Sequence, residues 1–214
     1  MPTRGTVRRT TRDRARVPVP VTGTALLLID VINDLAFPGS EILVRQAEPM
    51  AERLARLKAR AVRAGVPAIY VNDNFGQWRS DFRRTVAHCT AATAPGRQVS
   101  RRLRPTARDY FVLKPKHSGF YDTTLDTLLD SLGTRRVIVT GIAGNICVLF
   151  TANDAYMRGL RIIAPEDCIV SNTVEDNAYA LRQIGTVLKA RTVPSARLTF
   201  ASARRSPARG APAT

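Results

Sequence analysis

The stretch Ala25-Leu26-Leu27-Leu28-Ile29 is apolar at every position and breaks off at Asp30. A strand with one face in water alternates apolar and polar residues. One that is apolar throughout must be covered on both faces, as the inner strands of parallel sheets are. That run therefore requires helices above and below it, and the rest of the chain supplies them. Met50, Leu54, Leu57 and Ala61 mark one buried stripe of a helix over residues 48–64, with Pro49 in its first turn and Gly65 as its stop. Residues 66–71 read as a second strand ending at Asn72-Asp73, and residues 110–113 as a third ending at Lys114. A helix over 124–132, a fourth strand over 136–141, a helix over 145–158, a fifth strand over 161–164, a helix over 174–190 and a weak strand over 190–193 complete the pattern.

Strand and helix alternate with short connections and no internal repeat. The expected fold is α/β: a three-layer α/β/α, Rossmann-like open parallel sheet of about six strands. In such sheets the ligand crevice lies beyond the carboxyl ends of the strands. The residues of interest are therefore Asp30, Asn72, Asp73, Lys114 and the turn from Gly141 to Cys147.

The charge of the chain points elsewhere at first. Its 214 residues carry a formal +16, a footprint that suggests nucleic acid. By segment, residues 1–20 hold net +5, residues 201–214 hold +3, and residues 78–108 hold +7 with eight arginines against Asp81. The segments that carry the strand ends are nearly neutral. Residues 1–20 and 201–214 read as a basic disordered arm and tail flanking one domain over 21–200, and residues 78–108 as loop with short helices. No zinc-finger or helix-turn-helix pattern appears, and aromatics are not interleaved with the basic residues, so the arginine bias is read as compositional and nucleic acid is not the expected partner. No apolar run approaches the roughly 18 residues of a membrane span. Three scattered cysteines, Cys89, Cys147 and Cys168, suit a reducing cytosol.

Cys147 falls in the first turn of a helix, where the helix dipole favours thiolate. Cys89 sits in an irregular polar stretch, and Cys168 follows Glu166-Asp167, whose charges disfavour thiolate. Lys114 is one of four lysines in a chain that otherwise uses arginine, and lysine can exchange a proton where arginine cannot. Asp30, at the end of an apolar strand, needs a partner or its pKa rises. Together the three supply a base, a cation and a thiol, the set that nucleophilic catalysis requires.

Three motifs carry a resemblance: Leu28-Ile29-Asp30-Val31-Ile32-Asn33-Asp34, Lys114-Pro115-Lys116-His117-Ser118-Gly119-Phe120-Tyr121, and Thr140-Gly141-Ile142-Ala143-Gly144-Asn145-Ile146-Cys147-Val148. In this order they resemble the isochorismatase-like cysteine hydrolases, which include nicotinamidases and N-carbamoylsarcosine amidohydrolase. The resemblance spans about residues 22–195. It implies a catalytic triad of Asp30, Lys114 and Cys147, with Asp30 taking the thiol proton, Lys114 orienting the pair and a thioester forming on Cys147. It also implies a cis peptide at Ile142–Ala143, backbone N–H groups of Ala143 and Cys147 as the oxyanion hole, and a homo-oligomer. Gly144 stands where many relatives have Thr, which predicts a looser loop.

Departures from the family narrow the expectation. Nicotinamidases hold a metal with an Asp and several His, and this chain has only His88 and His117. No metal and no cofactor are therefore expected. Enzymes acting on the vinyl ether of isochorismate generally lack the cysteine. What remains is a C–N hydrolase for a small amide, ureido or imide compound. Phe75, Trp78, Phe120 and Tyr121 are candidate pocket walls, joined by Leu35, Asn72 and Asn145. The alternatives are a polyanion- or nucleic-acid-binding protein using the basic segments, an isochorismatase-type vinyl-ether hydrolase, and a scaffold that has lost activity.

Overall fold

The computed structural model describes residues 15–79 and 81–201. Its main sheet has six strands: β2 (Thr24–Ile29), β3 (Ala68–Asp73), β4 (Tyr110–Lys114), β5 (Arg136–Gly141), β6 (Arg161–Pro165) and β7 (Arg191–Val193). They lie in the order β4-β3-β2-β5-β6-β7, and every pairing is parallel. The chain winds outward from β2 in one direction through β3 and β4, and from β5 in the other through β6 and β7. The switch point between β2 and β5 is where a crevice opens in such a sheet.

The strand β2 has six buried residues in a row, and its side chains divide between two cores. Leu26 and Leu28 pack with Leu54, Leu57 and Ala61 of α1 (Glu41–Ala64) on one face. Ala25, Leu27 and Ile29 pack with Leu125 and Leu129 of α4 (Leu125–Ser131), Ala152 and Ala155 of α5 (Leu149–Met157), and Ile184 of α6 (Val174–Thr186) on the other. The uniformly apolar run thus has the double cover it requires.

Several boundaries differ from the sequence expectation; the helix expected over 174–190, for one, ends at Thr186. Helix α1 begins at Glu41, seven residues earlier than its expected start, because Leu43 and Ala47 extend the buried stripe ahead of Met50. Pro49 therefore lies inside the helix, where it has no N–H to give the carbonyl of Arg45. The basic arm expected to run to residue 20 ends sooner: β1 (Val17–Pro20) pairs in parallel with β8 (Leu198–Ala201), burying Val17 and Val19 against the α1 face. Ala201, expected in the tail, closes β8. Residues 1–14 and 202–214 lie outside the described residues. The arginine-rich stretch folds into α2 (Phe82–Cys89) and α3 (Arg97–Arg102), and Cys89 is buried in the core rather than in an irregular loop.

Candidate active site

Strand register brings the chemistry together. Ile29 pairs with both Val71 and Gly141, and Asp73 pairs with Lys114, so β2 and β5 end level while β3 and β4 run two residues further and end together. Asp30 is the first residue beyond β2 and turns into the left-handed region at φ 49°. Asp tolerates that region better than most residues, yet the position still costs on the order of 1–3 kcal/mol. Its N–H remains in the ladder, donating to the Val71 carbonyl at 3.0 Å.

Lys114, with 0% of its side chain exposed, is the centre of the site. Its Nζ lies 2.9 Å from Asp30 Oδ2, 3.3 Å from Asp73 Oδ2 and 3.5 Å from Cys147 Sγ. The Asp73 N–H donates to Asp30 Oδ1 at 2.6 Å, so both carboxylate oxygens of Asp30 are held. A buried ammonium is tolerable only with such company.

The electrostatics follow from burial. Burial raises the Asp30 pKa above its ordinary 3.8, and Lys114 and the hydrogen bonds from Cys147 and Asp73 pull against that rise without cancelling it. For Lys114, burial favours the neutral amine, but Asp30, Cys147 and Asp73 together outweigh it and the pKa goes up. Cys147 is pushed up to about 12, by burial first and the Asp30 charge second, with Lys114 opposing. Burial and the Asp30 charge thus act on the thiol against the helix-dipole expectation, which favours thiolate. Cys89 and Cys168 are also pushed up to about 12 by burial, aided by Asp34 and Asp167 respectively.

Cys147 sits in a single π-helical turn, Gly144–Val148, that leads into α5. The Ile142–Ala143 peptide before it is cis. Gly141 has φ 115°, and a Cβ there would stand 2.0 Å from the Ile29 carbonyl oxygen, so only glycine lets β5 run this close to the end of β2. Gly144 is buried and tightly enclosed: an added Cβ would meet Ser171 Oγ at 2.6 Å, Asn177 Oδ1 at 2.7 Å and Ile169 Cγ2 at 2.8 Å. The loop is not loosened by this glycine, contrary to expectation; its neighbours fill the space a threonine would need. Thr151 anchors the turn to the Lys114 loop, donating to the Cys147 carbonyl at 2.7 Å and accepting from Gly119 N–H at 2.9 Å.

The candidate pocket residues separate. Leu35 is fully buried in the core, and Phe120 is buried beneath the Arg158 guanidinium at 4.5 Å. Asn72 is fully buried and spends its amide on the backbone of Ile32, accepting at 3.2 Å and donating at 2.8 Å; it ties β3 to the loop after Asp30. Tyr121 is exposed on the surface. Phe75 and Trp78 do line a cavity of about 670 Å³, with Asp34, Arg79, Arg84 and His88. That cavity opens one residue beyond Asp73, at Asn74, and Cys147 is not part of its wall. Asn145 Oδ1, two residues before Cys147, is buried and finds no hydrogen-bond partner among the described residues.

Two residues of the site were missed. Asp73 was noticed as a strand end but given no part, since its place beside Lys114 depends on strand register. His117 was weighed only as a metal ligand; its Nδ1 lies 3.9 Å from Cys147 Sγ. His88 is elsewhere, 2.8 Å from Asp34 in the cavity wall. The two histidines do not converge, and among the described residues no group of three His, Cys, Asp or Glu side chains is placed to hold a metal ion. No described helix is long and apolar enough to cross a membrane.

A parallel α/β sheet with a carboxylate, an ammonium and a thiol in contact at its switch point has the frame of an α/β hydrolytic enzyme. A family model described as "Isochorismatase domain" matches residues 24–193, and the chain belongs to the isochorismatase family of hydrolases. The "Uncharacterized isochorismatase family protein YaaI" of Bacillus subtilis is 46% identical over 164 residues, which is 77% of this chain and 90% of that protein. The ureidoacrylate amidohydrolase RutB of Acinetobacter baylyi is 26% identical over 189 residues, 76% of this chain and 77% of its own. Among solved structures, N-carbamoylsarcosine amidase from Thermoplasma acidophilum superposes with a TM-score of 0.61 at 28% identity, covering 80% of this chain and 96% of that one.

Proposed function

We propose that the chain is a metal-independent cysteine amidohydrolase that cleaves a C–N bond of a small amide, ureido or imide compound through a thioester on Cys147. The observation that carries this reading is the contact of Lys114 Nζ with both Asp30, at 2.9 Å, and Cys147 Sγ, at 3.5 Å. Asp30 accepts the thiol proton as Sγ attacks the carbonyl carbon, and its raised pKa lets it hold that proton and then pass it to the departing nitrogen. Lys114 keeps its charge throughout and stabilises first the carboxylate and then the thiolate. The N–H groups of Ala143 and Cys147 are the proposed donors to the oxyanion. Asn145 Oδ1, a buried acceptor without a partner among the described residues, suits an N–H of an amide or ureide substrate. The body of the substrate extends toward the cavity of Phe75, Trp78 and Arg84. That two relatives are named for hydrolysing a ureidoacrylate and a carbamoyl compound supports the substrate class.

The test is ammonia release from a panel of small amides, ureides and imides, with chelator present. Wild type is expected to turn over at least one of them and Cys147→Ala none. Activity that survives Cys147→Ala, or a trapped adduct on Cys168, overturns the reading.

A further inference from the structure

The strands have a second end, and positive charge gathers there. At the start of β2, β5 and β6 lies a cavity of about 820 Å³ whose described wall sets Arg135, Arg136, Arg158 and Arg161 against one carboxylate, Asp130. The strand β5, Arg136–Gly141, separates it from the Cys147 turn by roughly 16 Å. Composition does not explain the gathering, because residues 109–200 hold ten lysines and arginines against nine acidic residues.

Of the four arginines, Arg158 is already committed. It pairs with Asp126 at 3.2 Å and Asp154 at 3.5 Å and lies over the Phe120 ring. Among the described residues, Arg135, Arg136 and Arg161 are in no ion pair, with Asp130 or with any other carboxylate. Arg136 and Arg161 are partners in the β5–β6 register, so their side chains leave the sheet on the same face. Burial first, and the charge of Arg161 second, push the Arg136 pKa down from its ordinary value. Like charges held side by side repel, and no described carboxylate offsets them. The backbone that presents them is fixed. The N–H groups of Arg135 and Arg136 both donate to the Gly23 carbonyl, at 2.8 and 2.9 Å, and that of Arg161 donates to the Arg135 carbonyl at 3.0 Å. The Arg136 fork is held as well, with Nη1 donating to Thr24 Oγ1 at 3.1 Å.

We propose that this cavity is an anion site, separate from the Cys147 cluster, that takes a compact oligophosphate group. Three unpaired guanidiniums call for several negative charges within one small group, which a single carboxylate does not carry. The planar fork of arginine accepts phosphate oxygens two at a time. No aromatic ring is among the described wall residues, so a nucleobase has nothing to stack on. The site therefore reads the phosphates, whether free or carried on a nucleotide.

The test titrates the full chain with inorganic triphosphate by calorimetry at ~0.15 M salt, where attraction to scattered surface arginines is screened. One triphosphate is expected to bind per chain. Arg136→Ala and Arg161→Ala each weaken it about 10-fold or more, and Arg136→Lys weakens it too, because lysine keeps the charge and loses the fork. Arg84→Ala, which removes the same charge from the cavity beside Asp73, leaves the affinity unchanged. Thermal melts separate binding from folding. Without anion, Arg161→Ala melts no lower than wild type, since a like-charged neighbour has gone; with triphosphate, wild type rises and Arg161→Ala does not. The proposal is overturned if triphosphate fails to bind, if its affinity survives Arg136→Ala and Arg161→Ala, or if Arg84→Ala weakens it as much as they do. An Arg161→Ala protein that melts below wild type without anion overturns it as well, by making the arginine a part of the fold. A nucleoside triphosphate that binds more tightly than inorganic triphosphate overturns the reading of the phosphates alone.

Discussion

The Asp30–Lys114–Cys147 cluster and the cavity beside it are joined by a single peptide, Asp73 to Asn74, yet they are built by opposite rules. Within the cluster, Lys114 is fully buried, every charge touches its opposite, and neither the Ile29 backbone at Gly141 nor the Ser171, Asn177 and Ile169 side chains at Gly144 leave room for a Cβ. Across the peptide, Trp78 is 78% exposed and Arg84 lies on an open wall. Groups whose protonation states depend on a low dielectric and fixed neighbours sit inside the packing. Recognition groups work at the surface, where a side chain changes affinity without disturbing the core.

The contrast predicts a gradient of effects. Cys147→Ala is expected to lower turnover by at least about 10³-fold while the thermal melt barely moves, as read by ammonia release and calorimetry. Gly144→Thr forces a branched side chain among Ser171, Asn177 and Ile169. It costs about 1–3 kcal/mol, lowering Tm by about 2–4 °C for each kcal/mol and displacing Cys147 with it. An unchanged melt would show that the cluster is less constrained than its packing implies.

The pH profile separates the charges. Protonated Asp30 cannot accept the thiol proton, so the rate falls as pH drops through its pKa, and because that pKa is raised the acid limb lies above 3.8. On the alkaline side, Asp73 is one of the groups that raise Lys114; Asp73→Asn lowers the Lys114 pKa and moves the loss of activity to lower pH. An alkaline limb that stays in place in Asp73→Asn would detach Asp73 from the cluster. In the cavity, Arg84→Ala and Trp78→Ala are expected to raise KM roughly 3–10-fold with kcat nearly unchanged, the mark of binding lost equally from ground and transition states. A kcat loss equal to that of the cluster variants would erase the distinction. The smallest effect belongs to Arg102→Ala, which removes an exposed 3.5 Å pair with Glu52 and shifts stability by less than about 0.5 kcal/mol.

The inner strands and most helices were legible because burial on two faces leaves a mark at every residue of β2, and burial on one face leaves a periodic stripe along α1. Helix α1 was read too short because Pro49 is a local signal, whereas the burial of Leu43 and Ala47 is a tertiary one. The strands β1 and β8 were missed because each is four residues long and gains its partner 181 positions away in register, Val17 to Leu198. The pocket candidates show the same limit. Phe75, Trp78, Phe120 and Leu35 are apolar residues after strands, and sequence offers no means of telling Trp78 on the cavity wall from Phe120 beneath Arg158.

Alone, the sequence determined the parallel α/β frame, the family, and the three residues now found in contact at the strand ends. Each of those is written in local pattern: uninterrupted apolar runs, and polar residues that follow them. Tertiary structure decided the burial of Cys147, the placing of Asp73 beside Lys114 and of His117 beside Cys147, and which aromatics face solvent. Those depend on burial and on distances between residues far apart in the chain, 30 for Cys147–His117 and 41 for Lys114–Asp73. Packing sets such distances, and no stretch of chain encodes them locally.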